Sequence, residues 1–333
     1  MQNHKFIFRF VLVLILLCPY LAFGQDVPKV GQSGMKWLSI PVGARAASMG
    51  GAYTSVADDI SSVFWNPAGS AFTEGGHVFL NQTRWIADIK MNSAAVSYNT
   101  GRLGVFGFTL MSVDWGVFNG TRRVDSGPGY IETGTFSPTS LMAGINYGLR
   151  LSEAFAFGLH FKYISEKLGS QLEGSWDAPV TYTAKMNLVA FDIGTIYYVG
   201  FRDLRIGMSL QNFSNEKQYR TETFPLPLTF KFGAAMNVMS LWTESSQHSL
   251  TVATDFMHPR DYTERIQVGL EYGFSDIVYL RGGYKFNYDE ETMTFGAGLN
   301  FSLINNLALR LDYSYQDFGN FDAVHMFSFD FAF

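Results

Sequence analysis

The sequence predicts an all-β fold: a transmembrane antiparallel β-barrel of about 14 strands, preceded by a small N-terminal hatch. From position 77 onward, segments of about ten residues alternate large apolar with small or polar side chains. Short turns also alternate with longer connections, as they do in bacterial barrels. Charged residues make up 16% of the chain, against about 25% in soluble domains. Aromatic residues also reach 16%, and there are 33 glycines.

Residues 1–24 are predicted to be a secretory signal peptide. Lys5 and Arg9 precede a short apolar run, and small residues at 22 and 24 offer a cleavage site. The run is shorter than the ~20 apolar residues of a membrane-spanning helix. Cleavage removes the single cysteine and changes the net charge from −5 to −7. An acidic chain of this kind argues against a nucleic-acid partner.

Residues 25–75 lack strand alternation and are predicted to form a hatch inside the barrel. Small residues dominate this segment and allow close backbone packing, whereas an ordinary periplasmic extension would not need them. Asn-Pro at 66–67 predicts a turn. The candidate hatch residues are Arg45, Gly50, Gly51, Asp58, Asp59, Asn66, Pro67 and Ala68.

The barrel is assigned to residues 76–333. Apolar residues occupy every second position in segments such as 155–163 and 307–315, so each strand has one apolar and one polar face. The expected strands lie near 76–85, 90–99, 103–115, 138–150, 154–165, 188–200, 204–213, 226–239, 249–258, 264–274, 277–287, 292–303, 307–317 and 323–333.

A soluble β-sandwich is the competing interpretation of this alternation. Here the apolar face is large and aromatic throughout, which suits lipid, and strands in lipid have to close into a barrel to pair every backbone group. Tyrosines and tryptophans near segment ends are predicted to form interfacial girdles. These are Trp85, Trp115, Tyr147, Tyr163, Tyr272, Tyr288 and Tyr315.

The connections predict an orientation in the outer membrane. Turns such as 151–153 and 275–276 are tight, whereas 116–137, 166–187 and 214–225 are expected to be long external loops. The C-terminus is then expected in the periplasm. The last segment places Phe329, Phe331 and Phe333 on one face, which resembles the signal that the barrel assembly machinery recognises.

Charged residues on the polar faces are expected to point into the lumen. Their mixed signs favour ion pairs that brace a filled lumen over a selectivity ring of one sign. The predicted lumen charges are Lys162, Lys231, Asp255, Glu271, Arg281, Lys285, Arg310 and Asp312.

The order of motifs resembles the PorV/PorQ family, within the larger group of FadL-like barrels. Gly-x-Arg-Ala-x-x-Met-Gly-Gly-Ala begins at residue 43, Ala-Asp-Asp follows at 57, and Trp-Asn-Pro-Ala-Gly at 65. The resemblance covers the whole chain after residue 24. It implies a hatch made by residues around 36–75, a periplasmic N-terminus, and a role beside the type IX secretion system in which exported proteins or machinery are bound.

No motif of a catalytic, metal or cofactor site is present, so we expect neither an enzyme nor a cofactor. His160 with a serine partner would be the only candidate for a barrel hydrolase, and a hydrogen-bonded lumen histidine is the preferred interpretation. Two functions remain: a secretion-associated protein that binds cargo or secretion components, and a FadL-like passive transporter of hydrophobic molecules. For both functions, the barrel is expected to be surrounded by outer-membrane lipid.

Overall fold

The computed structural model describes residues 30–125, 127–175, 178–219, 221–242, 247–302 and 307–333. The predicted signal peptide, 1–24, and the first residues assigned to the hatch, 25–29, lie outside the described residues. Within the described ranges, no helix combines the length and the apolar character needed to cross a membrane.

Fourteen antiparallel strands form a closed barrel, which confirms the predicted fold class. They are β1 (Gly76–Arg84), β2 (Lys90–Asn99), β3 (Val105–Asp114), β6 (Thr139–Arg150), β7 (Phe155–Ser175), β8 (Ala178–Tyr198), β9 (Arg205–Phe213), β12 (Thr229–Asn237), β13 (His248–Pro259), β14 (Arg265–Phe274), β15 (Val278–Phe286), β16 (Met293–Ser302), β17 (Ala308–Gln316) and β18 (Val324–Ala332). Two hairpins stand apart from the barrel: β4 (Phe118–Arg123) with β5 (Tyr130–Phe136), and β10 (Lys217–Tyr219) with β11 (Glu222–Phe224).

The barrel closes where β18 pairs with β1. The register places Leu80 opposite Phe329, and the seam extends to Gly76 and Phe333. The Gly76 N–H donates to the Phe333 carbonyl at 2.7 Å, and the Phe333 N–H donates to the Gly76 carbonyl at 2.9 Å. Since lipid offers no hydrogen-bond partner, this seam pairs the backbone groups that an open sheet would leave unsatisfied.

Side chains alternate between lipid and lumen as the sequence pattern predicts. On β16, Phe295 is 53% exposed while its neighbour Thr294 is 1% exposed. On β15, Leu280 is 56% exposed and the adjacent Arg281 is buried. The exposed faces of the strands therefore form an apolar band around the barrel, which suits a surrounding of hydrocarbon.

The segment 166–187 is not the loop that the sequence predicts. β7 and β8 continue through it and pair with each other up to Ser175 and Ala178. β6 accompanies β7 only as far as Lys167, so the tip of the β7–β8 hairpin projects beyond the barrel wall. Valine, threonine and tyrosine at 180–183 favour extended chain, and the polar residues around them obscured that pattern.

Trp85 and Trp115 do not belong to an interfacial girdle. Trp85 packs edge-to-face against Phe318, with ring centroids 4.9 Å apart. Trp115 donates from Nε1 to the Ser140 hydroxyl at 2.9 Å. Both indoles occupy the mouth of the lumen, because they follow strand ends where the alternation no longer fixes the direction of a side chain. Tyr163 does lie exposed on the outer face.

Residues 35–75, called here the N-terminal segment, run through the barrel interior. The segment contains the short helix α1 (Ala44–Ser48) and 3₁₀ turns at Lys36–Ser39, Ile60–Phe64 and Pro67–Phe72. Asn66 fixes the last of these turns: its side chain accepts from the Ala68 N–H and donates to the Thr54 and Thr195 carbonyls. The turn is thereby joined to both the segment and the wall.

The N-terminal segment passes from one end of the barrel to the other. Near its start, the Gly34 N–H donates to Pro225 at 3.0 Å, at the end that carries the hairpins and is called here the long-connection end. It leaves beside Phe333, at the opposite, short-turn end. The N-terminus, which is expected in the periplasm, precedes residue 30 and lies outside the described residues.

Glycines in the wall allow the N-terminal segment to approach the strands at backbone distance. A Cβ added to Gly283 or Gly269 would lie within 3.0 Å of backbone atoms of Met49–Gly50. The same holds for Gly158 beside Pro67–Ala68 and for Gly207 beside Thr54. The inner surface of the barrel is thus shaped to fit the segment, and the segment is part of the packed core.

We expect replacement of Phe333 by Asp to reduce insertion of the protein into the outer membrane. The charged side chain would stand at the end of the β1–β18 seam, where the phenyl ring now packs on Gly76. The measurement is the heat-modifiable fraction on gels of membrane extracts. Phe321→Asp, at an exposed position outside the strands, is the control. Equal assembly of both variants would contradict the role of the seam.

We expect Phe295→Lys to cost about 2–4 kcal/mol near the midplane of the bilayer, because the ammonium would face lipid. Alternation alone predicts a smaller cost for lysine at the inward neighbour Thr294. The structure reverses that expectation, since the Thr294 hydroxyl donates to the Ser48 carbonyl at 2.8 Å with no room for a longer side chain. Urea unfolding in lipid vesicles measures both, with Phe295→Leu as control. If Phe295→Lys left the free energy of unfolding unchanged, this face of the strand would not be in contact with lipid.

We expect Gly283→Ala to displace the N-terminal segment, because its methyl group would overlap the backbone at Gly50. The adjacent Gly282 is a matched control, since a Cβ there has no neighbour closer than 3.9 Å. Protease sensitivity of the segment in the folded barrel reports displacement. Identical digestion of the Gly283→Ala and Gly282→Ala proteins would show that the close fit does not hold the segment in place.

Candidate functional site

A buried ion-pair network joins the N-terminal segment to the barrel wall. Arg45, on α1, donates from Nε and Nη2 to the two carboxylate oxygens of Glu271 at 2.9 and 2.8 Å. Its Nη1 donates to Asp58 at 2.5 Å and to Asp59 at 2.9 Å. Two-point pairing of this kind fixes the direction as well as the distance between helix and strand.

The wall contributes further charges to the same network. Arg281 pairs with Glu271 at 2.6 Å and with Asp312 at 2.7 Å. Arg310 pairs with Asp312 at 3.0 Å, and Arg205 lies 3.4 Å from Asp58. The network contains four arginines and four carboxylates, namely Arg45, Arg205, Arg281, Arg310, Asp58, Asp59, Glu271 and Asp312. Its formal charge is zero, as burial in a low-dielectric interior requires.

Asp59 lies between two guanidinium groups, 2.9 Å from Arg45 and 3.9 Å from Arg310. The hydroxyl groups of Ser61 and Tyr53 also donate to it, at 2.5 and 2.7 Å. The space left beside the network is about 10 Å³, enough for roughly one water molecule.

The other predicted lumen charges lie elsewhere in the interior. Lys162 pairs with Asp192 at 2.6 Å. Asp255 accepts the backbone N–H groups of Tyr53 at 3.1 Å and Thr54 at 2.9 Å. Lys285 contacts Glu291 and donates to Gln316 at 3.0 Å. Lys231 lies over the Trp65 ring, with Nζ 4.4 Å from its centroid. The structure thus distributes the eight predicted charges over several sites.

The predicted hatch residues divide between backbone and charge roles. Gly50 and Gly51 have φ values of 68° and 84°, which favour glycine, and they turn the chain beside β14 and β15. Arg45, Asp58 and Asp59 enter the ion-pair network described above. Asn66, Pro67 and Ala68 form the capped turn against β7 and β8.

Sequence reasoning missed three participants in these contacts: Arg205, which pairs with Asp58, and the two residues Tyr53 and Asp192. Tyr53 links Arg45, at 3.1 Å, to Asp59 through its hydroxyl group. Tyr53 directly follows the Gly-Gly-Ala motif of the predicted hatch, and this position could have marked it as a hatch residue. Asp192 lies between Phe191 and Ile193 in the predicted strand 188–200, so the alternation was an available signal that it points into the lumen.

His160 has the neighbours of a catalytic histidine without access for a substrate. Its Nε2 lies 2.8 Å from the Thr109 hydroxyl and its Nδ1 lies 3.4 Å from Asp192. The partner is a threonine, not the serine considered from the sequence. All three side chains are buried, and none of them lines the space beside the ion-pair network or the larger cavity described below. The ranges that the structure describes also hold no group of three or more His, Cys, Asp or Glu placed to bind a metal ion.

A larger space, called here the mouth cavity, opens at the long-connection end and has a volume of about 510 Å³. Its floor is the N-terminal segment, including Val42, Gly51 and Trp65. Its walls come from the long-connection ends of β9, β12, β13, β14, β15 and β17, and from the connections that follow β1, β3, β13, β15 and β17. Aromatic side chains line much of it: Trp37, Phe64, Trp65, Trp85, Trp115, Tyr262, Tyr288, Phe318 and Phe321.

Two protein families match the chain. Residues 22–222 match the uncharacterised protein family UPF0164. Residues 130–331 match the family described as type IX secretion system membrane protein PorP/SprF. No curated protein matches the chain.

Solved structures with a similar fold include two toluene transporters and a FadL homologue. The toluene transporter TbuX of Ralstonia pickettii shares 14% identity at a TM-score of 0.53, over 87% of this chain and 98% of its own. The toluene transporter TodX of Pseudomonas putida shares 10% identity at a TM-score of 0.56, over 86% and 96%. A FadL homologue of Pseudomonas aeruginosa shares 13% identity at 0.51, over 88% and 98%.

At these identities the structural likeness establishes the barrel architecture and no more. The two family matches, in contrast, are matches of the amino-acid sequence. Each of them spans more than half of the 333 residues, and together they extend from residue 22 to residue 331. The chain therefore belongs to the uncharacterised protein family UPF0164 and to the PorP/SprF family of type IX secretion system membrane proteins.

Proposed function

We propose that this protein serves protein secretion at the outer membrane by binding exported proteins or other secretion components at its long-connection end. The observation that carries this proposal is the filled interior. The N-terminal segment occupies the barrel from end to end, packed on wall glycines and held by the Arg45 network. A barrel of this kind offers a partner its surface and not a passage.

Membership of the PorP/SprF family supports the link to type IX secretion. Within that system we further propose a role like that of the PorV/PorQ proteins, on the motifs at residues 43–52 and 65–69. The three projecting features at the long-connection end supply the partner surface: the β4–β5 hairpin, the tip of β7–β8 and the β10–β11 hairpin.

The proposed orientation places the short-turn end and Phe333 in the periplasm, with the hairpins outside the cell. Short periplasmic turns and longer external connections are the rule for bacterial barrels. In this arrangement lipid surrounds the apolar band, and the barrel assembly machinery receives β18 with its exposed Phe329 and Phe331. The proposal includes no enzymatic step and no cofactor.

Passive transport of hydrophobic molecules is the second candidate function. The mouth cavity supports it, because about 510 Å³ of largely aromatic space could receive an apolar compound. The fold similarity to the toluene transporters TbuX and TodX also agrees with it. Transport would require the N-terminal segment to move, since it forms the floor of that cavity.

We expect deletion of the gene to leave type IX cargo in the periplasm, and the wild-type gene to restore its export. A variant with residues 118–136 replaced by a Gly-Ser turn should restore less, because it lacks the β4–β5 hairpin while the barrel strands stay intact. Arg102→Ala, at an exposed short-turn position, is the control and should restore export fully. Immunoblots of medium and periplasm measure both.

The transporter alternative predicts the opposite pair of results. Cargo export would be normal in the deletion strain, and uptake of an apolar compound such as toluene would be lost. Purified protein in planar bilayers should give little steady conductance if the proposed function is correct. Normal export together with lost uptake would overturn the proposal.

A further inference from the structure

The mouth cavity contains a lysine whose charge has no carboxylate partner. Lys231 is 6% exposed, and its ammonium group borders the cavity above the Trp65 ring. Within the described part of the chain it makes no ion pair up to 4.0 Å and no hydrogen bond. The other two lysines that line the cavity are neutralised, Lys36 by Asp261 and Lys285 by Glu291.

The charges nearest to Lys231 do not fill that role. Asp255, one strand away, directs Oδ2 to the backbone N–H groups of Tyr53 and Thr54. Asp192 is held by Lys162 at 2.6 Å. A buried ammonium without a partner is costly, so it is a feature that a protein retains where a ligand supplies the missing charge.

The surroundings of Lys231 define the rest of the ligand. Trp65 lies beneath the ammonium, and Trp37, Trp85 and Trp115 also line the cavity. Arg265 also lines the cavity and makes no ion pair up to 4.0 Å in the described part of the chain; it is stacked between Tyr262 and Tyr288, at 4.1 Å from each ring centroid. Cations without a carboxylate partner, placed among aromatic rings, suit a ligand that joins a carboxylate to an aromatic or other apolar group.

We propose that the mouth cavity binds a peptide segment of a partner protein, which places one carboxylate at Lys231 and apolar side chains against the tryptophans. The proposal rests on the proposed function, since it names how a secretion partner engages the long-connection end. The cavity opens at the end of the barrel that carries the β4–β5 and β10–β11 hairpins, which is where the proposed function places the partner protein. The closed floor means that a bound segment stays and does not pass through.

Peptide binding can be measured on the whole protein in nanodiscs, without detergent that would enter the cavity. The probe is a fluorescein-labelled Gly-Ser-Phe-Phe tetrapeptide with a free carboxyl terminus, compared with the same peptide as a C-terminal amide. We expect the acid to bind the wild type about tenfold more tightly than the amide, since charge-assisted hydrogen bonds are the stronger ones. Fluorescence anisotropy gives both dissociation constants.

Lys231→Met should remove that preference, so that acid and amide bind equally and weakly. Lys90→Met, at an exposed position of β2, is the matched control and should leave the tenfold preference intact. Equal binding of the two peptides to the wild type would overturn the proposal whether or not the variant folds. Displacement of the acid peptide by sodium laurate at lower concentration than by unlabelled peptide would also overturn it, and would identify a free amphiphile as the occupant.

These outcomes are independent of the secretion experiment. Loss of export on gene deletion without any preference for the acid peptide would leave the proposed function standing and remove the cavity proposal. Normal export together with a clear acid preference would remove the role in secretion, and with it the identification of the ligand as a secretion partner.

Discussion

The interior of this barrel depends on the guanidinium group of Arg45. A chain that fills a lumen with polar backbone and charged side chains has to satisfy all of them without bulk water. Arg45 meets that requirement for three carboxylates at once, those of Asp58, Asp59 and Glu271. Removing one partner of a buried pair typically costs about 3–5 kcal/mol, because the charge left behind is uncompensated. The position of α1, and through it the floor of the mouth cavity, follows from this one group.

The same interaction connects residues that are far apart in sequence. Arg45 and Glu271 are separated by 226 positions, and the wall glycines that receive the segment come from β7, β9, β14 and β15. Contacts of such range form only after most of the chain is present, which makes assembly of the interior slow and cooperative with closure of the wall. Barrel and N-terminal segment are therefore a single folding unit, although the sequence divides into two parts.

Periodicity was sufficient to predict the barrel and its faces. Alternation assigns each residue to lipid or lumen, and it located all fourteen wall strands. It reports nothing on which lumen residues meet, so the pairing of Arg45 with Glu271 and the isolation of Lys231 could not be predicted. It also fails where strands end, which explains why Trp85 and Trp115 were assigned to the wrong surface. The projecting β7–β8 tip was missed because polar residues outside lipid no longer alternate with apolar ones.

The direction in which the N-terminal segment travels has a mechanical consequence. Its upstream end lies at the long-connection end, while its downstream end is covalently joined to β1 at the short-turn end. A tension applied to the upstream end therefore runs along the whole length of the lumen before it reaches the first strand. The segment is attached covalently only at the short-turn end, through β1, and elsewhere it is held by non-covalent contacts with the wall. A pull from the long-connection end would load the contacts of Arg45 first and those of the Asn66 turn next, while the ring of strands stays closed.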